Sequence, residues 1–192
     1  IVVGACLREA TDSHLFLCTL RVNNQRAVAR VHSARAMARQ IWHEVSIWSE
    51  ISHPNIVSLL GVTMGEGQVV TVSEFCDEGS LYDANARHLR HLTVSPSATK
   101  NSSLASPKVA HRPSFQLVAW AEGLASALSY LHALTPTPVI HRNLKSSNCM
   151  LSHGGSKLRL SDFTTACLGR GDPSEDLTPQ VGSIRWMAPT CA

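Results

Sequence analysis

The stretch Val-Ile-His-Arg-Asn-Leu-Lys-Ser-Ser-Asn-Cys-Met-Leu, at residues 139–151, places a polar loop between two short apolar runs. The runs at 139–140 and 149–151 are typical of short β-strands, and a third such run follows at 157–160. These runs predict a loop that is held by strand structure on both sides.

The amino-acid composition changes twice before this stretch. Residues 84–113 are rich in Ser, Thr, Pro, Ala and basic residues, contain no Asp or Glu, and lack hydrophobic periodicity. We therefore predict an exposed, disordered insertion there. A helix is predicted from Ser114, and Pro136 and Pro138 end it. Its apolar stripe consists of Leu117, Trp120, Ala121, Leu124, Leu128 and Leu131.

The residues before the insertion predict a small, mostly antiparallel lobe with a single helix. Asn23 and Asn24 indicate a hairpin, because Asn tolerates positive φ. Ser33 can cap a helix over 34–51. On that helix Met37, Ile41, Val45 and Trp48 recur at helical spacing. The predicted strands are 1–7, 15–22, 27–32, 56–64 and 68–75.

Composition limits the function classes. The 192 residues are 44% hydrophobic and 16% charged, which suits one domain with an insertion, or part of a larger one. The net charge is +3, but five basic residues lie in 84–113 and the remainder has 12 basic against 14 acidic residues. No basic face is indicated, so we do not expect nucleic acid as a partner.

The spacing of the cysteines and the length of the apolar runs indicate the cellular compartment. The six cysteines show no CxxC spacing, which disfavours zinc and fits a reduced, cytoplasmic setting. No run approaches the roughly 20 apolar residues of a membrane span. The sequence thus predicts a cytoplasmic domain without a membrane span.

Residues 141–148 resemble the catalytic loop of protein kinases, His-Arg-Asp-Leu-Lys-x-x-Asn, and further motifs agree in order. The spelling is most similar to the tyrosine-kinase-like group of Ser/Thr kinases, which includes mixed-lineage and Raf-type enzymes. The other matching segments are Arg30 in place of the VAIK lysine, Glu44 in the following helix, residues 53–57, a gatekeeper and hinge at 73–76, a DFG-like 162–164 and a GTxxWMAPE-like 182–190.

The resemblance implies an α+β, bilobed fold. It predicts a small lobe over 1–76, a hinge and turn at 77–83, the insertion, and a partial, mainly helical lobe over 114–192 that ends at the activation segment, with 164–183 long and flexible. It also implies ATP and Mg²⁺ as weakly held cofactors, and a protein partner or substrate, with another kinase as one candidate.

Individual site residues are carried over from the family pattern in the same way. Lys145 is expected to contact the substrate and the γ-phosphate, Asn148 and Asp162 to hold Mg²⁺, and the backbone of residues 74–76 to contact adenine. The nucleotide pocket would comprise Arg30, Glu44, Val28, Ser73, Glu74, Cys76 and Met150. A stack that registers the two lobes would comprise Trp48, Leu59, His141 and Phe163.

Three departures affect the chemistry directly. Asn143 replaces the aspartate that accepts the proton of the substrate hydroxyl, and a neutral amide is not a base. Arg30 replaces the lysine that holds the α and β phosphates, and its planar fork bonds in a different geometry. Val28 replaces a small alanine and crowds the adenine.

Other departures affect the supporting loops. Residues 10–15, at the place of the glycine-rich loop, contain no glycine, so backbone amides cannot approach phosphates closely. Thr164 replaces the DFG glycine, while Asp162 keeps its carboxylate. Thr190 replaces the glutamate of the APE motif.

These residues predict a catalytically impaired pseudokinase that acts as a binding and regulatory module. The alternatives are a weakly active Ser/Thr kinase that relies on Lys145, Asn148 and Asp162, and a degenerate fragment without function. Phosphorylation could also order or release loops. The candidate phosphorylation sites are Ser95, Ser97, Ser106, Thr178 and Ser183.

Overall fold

In the computed structural model the described residues are 1–10, 13–33, 38–65, 67–93, 113–169 and 181–187. The first part of the chain forms a five-stranded antiparallel sheet in the order β1-β2-β3-β5-β4. Its elements are β1 (Val2–Glu9), β2 (Ser13–Thr19), β3 (Arg26–His32), α1 (Ala38–Trp48), β4 (Leu59–Gly65) and β5 (Gln68–Glu74). The predicted antiparallel lobe with one helix is confirmed.

Local sequence explains the turns and the helix of this sheet. Asn24 adopts a φ of 56° between β2 and β3, as the Asn-Asn pair predicts. Helix α1 buries Ile41, Ile47 and Trp48, and Glu44 lies on the same face. The N-terminal end of the predicted helix, including Met37, lies outside the described residues.

The second part is built from two helices and short strands. The three-stranded sheet has the order β6-β8-β9, and β7 pairs with β10. Short 3-10 turns occupy Ser146–Asn148 and Ile184–Trp186. The elements are β6 (Gly79–Ser80), α2 (Leu81–Thr93), α3 (Ser114–His132), β7 (Val139–Ile140), β8 (Cys149–Ser152), β9 (Lys157–Leu160) and β10 (Cys167–Leu168).

Helix α2 corrects the predicted start of the insertion. The prediction of disorder from residue 84 is wrong over 84–93, which belong to this helix. The reason is a serine at the start of the helix: the Ser80 hydroxyl accepts the Asp83 backbone N–H at 3.1 Å and donates to the Asp83 carboxylate at 2.6 Å. The buried Ala84 then packs in a core cluster with Trp120. Residues 94–112 lie outside the described part of the chain.

Helix α3 also presents a different face from the predicted stripe. Trp120 and Leu131 are buried as predicted, but Leu117 is exposed, and the small residues Gly123 and Ala127 are buried instead. Small side chains let the helix approach its neighbours closely, and a Cβ on Gly123 would lie 2.6 Å from Asn55 Nδ2. The closest approach therefore lies along the small residues and not along the leucines.

One hydrophobic core spans both parts of the chain. It combines Ile47 and Trp48 of α1 with Ala127 and Leu131 of α3, and with the fully buried Phe163. The predicted bilobed, α+β architecture is thus held together at its centre. None of the helices in the described ranges has the length and apolar character needed to cross a membrane.

Candidate active site

A cleft of about 530 Å³ lies between the five-stranded sheet and the second part of the chain. Its roof comes from β1–β3 and its floor from the loops around β8 and β9. Asn143 lies beside this cleft, joined by a hydrogen bond to Asp162. The residues predicted from the sequence that line it are Val28, Arg30, Glu44, Ser73, Glu74, Cys76, Lys145, Asn148, Met150 and Asp162.

Arg30 and Glu44 form an ion pair across the cleft. Arg30 lies on β3, opposite Leu15 of β2 and Thr71 of β5, and its side chain extends toward Glu44 on α1. Arg30 Nη1 lies 3.6 Å from Glu44 Oε1, which has no hydrogen-bond partner within the described ranges. Burial raises the pKa of the Glu44 carboxyl, and the Arg30 charge opposes this rise. The pair is long and leaves guanidinium donors of Arg30 for other acceptors.

A chain of hydrogen bonds fixes the orientation of Asn143. Lys145 Nζ donates to Ser183 Oγ at 3.0 Å, and since an ammonium group only donates, the serine oxygen accepts. The Ser183 hydroxyl therefore donates onward to Asn143 Oδ1, at 2.9 Å. Asn143 Nδ2 in turn donates to Asp162 Oδ2 at 3.2 Å. Both ends of the buried amide are engaged, and the oxygen is already an acceptor.

Asp162 receives a second donor on its other oxygen. The Thr164 hydroxyl donates to Asp162 Oδ1, so both carboxylate oxygens accept side-chain hydrogen bonds. The turn requires a φ of 70° at Asp162. The same hydroxyl lies close enough to Glu44 to oppose, weakly, the rise of its pKa.

The cleft offers the oxygen atom types that Mg²⁺ prefers, on Asn148 and Asp162. Asn148 is buried, and its side-chain amide N–H donates to the Asn143 backbone oxygen at 2.9 Å. The side-chain oxygen of Asn148 is therefore the atom that a cation would contact. Asp162, the only carboxylate predicted to share the cation, is engaged on both oxygens. No group of three or more His, Cys, Asp or Glu residues that could hold a metal occurs in the described ranges. Each Asp162 oxygen keeps a lone pair beside its hydrogen bond, so Asn148 and Asp162 retain the oxygen atoms that would hold a divalent cation.

An aromatic stack connects α1 to the loop around Asn143. The Trp48 and Phe163 rings stack at 6.1 Å between centroids, and His141 meets Phe163 edge-on at 5.1 Å. Leu59 packs against the same core. The four residues predicted to register the two lobes thus lie together.

The protein kinase domain family matches residues 8–191 of this chain. The chain belongs to the protein kinase family. This kinase domain is 35% identical over 156 residues to mitogen-activated protein kinase kinase kinase 7 of Drosophila melanogaster. The aligned residues are 81% of this chain and 20% of that protein. It is 34% identical over 143 residues to the human protein of the same name, across 73% of this chain and 19% of that protein.

A plant relative matches over a similar range. Wall-associated receptor kinase-like 21 of Arabidopsis thaliana is 33% identical over 139 residues, which are 72% of this chain and 19% of that protein. The chain spans about a fifth of the length of these relatives. The predicted membership of the tyrosine-kinase-like group is confirmed.

The hinge of this kinase domain contains a contact that the sequence analysis missed. Glu74 Oε2 accepts the Ser58 backbone N–H at 3.0 Å and a bond from Arg159 on β9. Cys76, two residues after Glu74, is buried, and burial raises the pKa of its thiol to about 11. The end of β5 is therefore fixed to the second part of the chain by an ion pair.

Three further predicted features remain only partly described. Thr190, Thr178 and the candidate phosphorylation sites of the insertion lie outside the described residues, and so do Thr11 and Asp12 of the loop between β1 and β2. Ser183 is described, and its hydroxyl is held between Lys145 and Asn143.

Proposed function

We propose that this kinase domain is catalytically impaired and acts as a cytoplasmic binding and regulatory module for a protein partner, with another kinase as the first candidate. The observation that carries the proposal is the engagement of Asn143, whose amide donates to Asp162 and accepts from Ser183. A kinase needs a proton acceptor at this position.

The chemistry of an amide supports impairment. An amide oxygen takes no proton from a hydroxyl near neutral pH, and the neutral group does not attract that proton electrostatically. Loss of general-base catalysis typically costs about 10²–10⁴-fold in rate. Residual transfer by positioning alone would be slow.

The nucleotide site is weakened as well. Kinase domains in general use ATP and Mg²⁺. Here Arg30 replaces the phosphate-binding lysine and is drawn toward Glu44 at 3.6 Å, and Val28 lines the cleft where a smaller residue would leave room for adenine. We expect weak nucleotide binding for these reasons.

The binding role rests on the intact frame around the altered site. Phe163 is fully buried and stacked between Trp48 and His141, so α1 keeps a fixed position. The outer face of α1 carries Trp42, which is 43% exposed and large enough to anchor a protein contact. A fixed helix with an exposed tryptophan suits recognition by a partner.

A weakly active Ser/Thr kinase is the second candidate. It is favoured by the joint position of Lys145, Asn148 and Asp162 on the cleft, together with the ion pair of Arg30 and Glu44. These groups could still position a nucleotide and a hydroxyl substrate.

Phosphate transfer from ATP to a Ser/Thr peptide mixture distinguishes the two candidates. We expect the unmodified domain to transfer no faster than a Lys145→Met control, which removes the ammonium group. Transfer well above that control would refute impairment. The double variant Asn143→Asp with Arg30→Lys restores the base and the phosphate ligand, and melting curves verify that it folds. A steep rise in its rate would show that these two positions account for the loss.

A further inference from the structure

Lys145 and Asp162 carry opposite charges and are joined through two neutral side chains. Lys145 Nζ donates to Ser183 Oγ at 3.0 Å, and Asn143 Nδ2 donates to Asp162 Oδ2 at 3.2 Å. The Ser183 hydroxyl connects the two halves, because it donates to Asn143 Oδ1 at 2.9 Å. We call these four side chains the Asn143 network. Its positive and negative charges balance, so it has no net charge.

An aspartate at position 143, the residue that kinases carry there, would reverse this contact. A carboxylate accepts hydrogen bonds and donates none, so it could not bond to the ionised Asp162. Two carboxylates that share a site repel each other, and they stay together only with a bound proton or a cation between them. The Asn143 amide donates to Asp162 instead, so the contact is attractive without any third group.

The Asn143 network joins three places in the chain. Asn143 and Lys145 lie in the loop between β7 and β8, Asp162 follows β9, and Ser183 follows β10. Strand β10 itself pairs with β7, directly before that loop. The network therefore fastens the chain on both sides of β10 to the loop between β7 and β8.

Backbone contacts support the side of the network that contains Asp162. Arg142 Nε donates to Thr165 O at 2.7 Å, and the Thr165 hydroxyl donates to His141 O at 3.2 Å. Neither of these bonds involves Ser183, which is joined to the loop by its bonds to Lys145 and Asn143. Asn143 is thus the residue through which both Asp162 and Ser183 are held.

We propose that Asn143 is a structural lock, whose amide holds Asp162 and Ser183 on the loop between β7 and β8 whether or not a nucleotide or a divalent cation is bound. A cation on Asn148 and Asp162 would gain ligands without having to bring the two segments together. Asn143 is a positioning residue in this role. The proposal goes beyond the proposed function, because it concerns the order of these segments and not phosphate transfer.

Hydrogen–deuterium exchange at pH 7 on the whole 192-residue chain tests the lock. Exchange is compared in excess EDTA, in millimolar Mg²⁺, and in Mg²⁺ with ADP, for peptides that cover 138–148, 161–169 and 181–187. Asn143→Ala removes the amide without adding charge, and Asn143→Asp adds the charge. Asn23→Ala and Asn23→Asp make the same changes on an exposed turn between β2 and β3. Melting curves establish that each variant folds.

We expect the peptides of the unmodified chain to be protected in EDTA, and Mg²⁺ or ADP to change their exchange rates by less than about threefold. The peptides of Asn143→Ala should exchange about 10–100-fold faster, as for the loss of a hydrogen bond to a charged group, and Mg²⁺ alone should restore little of this protection. Asn143→Asp should lose as much in EDTA, but Mg²⁺ alone should restore most of it, because the cation binds both carboxylates. The Asn23 variants should behave like the unmodified chain.

Three results would overturn the proposal. One is an increase of about tenfold or more in the protection of the unmodified chain by Mg²⁺ or by Mg²⁺ with ADP, since the junction would then depend on a ligand. Another is an Asn143→Ala variant that exchanges like the unmodified chain, and this comparison decides the matter even where Asn143→Asp fails to fold in EDTA. The third is a folded Asn143→Asp variant that Mg²⁺ does not restore. Each result leaves the proposed function standing, because that depends separately on the phosphate-transfer assay.

Discussion

Replacing Asn143 by aspartate restores the residue that kinases use as a base, yet we expect it to destabilise this chain at neutral pH. The amide nitrogen now donates to Asp162 at 3.2 Å, and a carboxylate in its place would put two negative charges together. At 3.2 Å, two unit charges repel by about 5 kcal/mol for an effective dielectric constant of about 20.

Proton uptake limits this penalty. Protonating one carboxyl at pH 7 costs about 4 kcal/mol, at about 1.4 kcal/mol for each pH unit above an ordinary carboxyl pKa near 4. That cost is the upper limit of the penalty, and rotation of the new side chain away from Asp162 lowers the repulsion further. We therefore expect Asn143→Asp to lose about 2–4 kcal/mol of unfolding free energy at pH 7.

The sign of the pH dependence follows from proton linkage. The folded pair holds a proton that the unfolded chain releases as pH rises, so the stability of the variant falls with rising pH. At pH 5 the same limit is about 1.5 kcal/mol, and the loss should shrink accordingly.

Urea unfolding at pH 5 and pH 7 measures both values. Asn143→Ala is the control, because it loses the same hydrogen bonds without adding charge and should show no comparable pH dependence. An Asn143→Asp variant as stable as the original at pH 7, or one whose loss grows at pH 5, would refute the proximity of the two side chains.

Three further perturbations test the frame around the cleft. Gly123→Ala places a Cβ 2.6 Å from Asn55 Nδ2 and should cost about 1–3 kcal/mol in urea unfolding; a neutral effect would contradict the close helix approach. Arg159→Ala removes the partner of Glu74 and should cost about 1–3 kcal/mol, with Glu74→Gln recovering part of the loss in the double variant; additive losses would count against the pair. Burial lowers the pKa of His32 to about 4, so stability should fall as pH drops from about 6.5 to 4, and a His32→Gln variant that keeps the same slope would contradict this.

The sequence predicts the positions of Glu44, Arg30 and the loop around Asn143, because these residues lie in segments with a regular hydrophobic pattern or a recognisable motif. Glu44 shares a helical face with Ile41 and Trp48, and that periodicity alone indicates a buried carboxylate in need of a cation. Arg30 lies on the strand that supplies this cation. The catalytic-loop motif likewise fixed the positions of Asn143 and Asn148 relative to the strands.

The contacts of single hydroxyls could not be predicted in the same way. The bonds of Thr164 to Asp162 and of Ser183 to Asn143 depend on loop backbone that has no periodic signature. The pairing of Glu74 with Arg159 joins residues 85 positions apart and depends on the tertiary fold. Helix α2 extends into a segment whose composition favours disorder, because the Ser80 hydroxyl accepts the Asp83 backbone N–H and donates to the Asp83 carboxylate at the start of the helix.

The side chains of Trp48, Phe163 and His141 pack against one another and hold α1 against the loop around Asn143. Substitutions at catalytic positions can therefore abolish turnover without disturbing this stack. The residues of this stack are different side chains from Asn143, Lys145 and Asp162, the residues at the positions where kinases carry out chemistry. Under the proposed loss of catalysis, a small molecule that recognises only the shape of an active kinase would bind this domain without inhibiting a reaction.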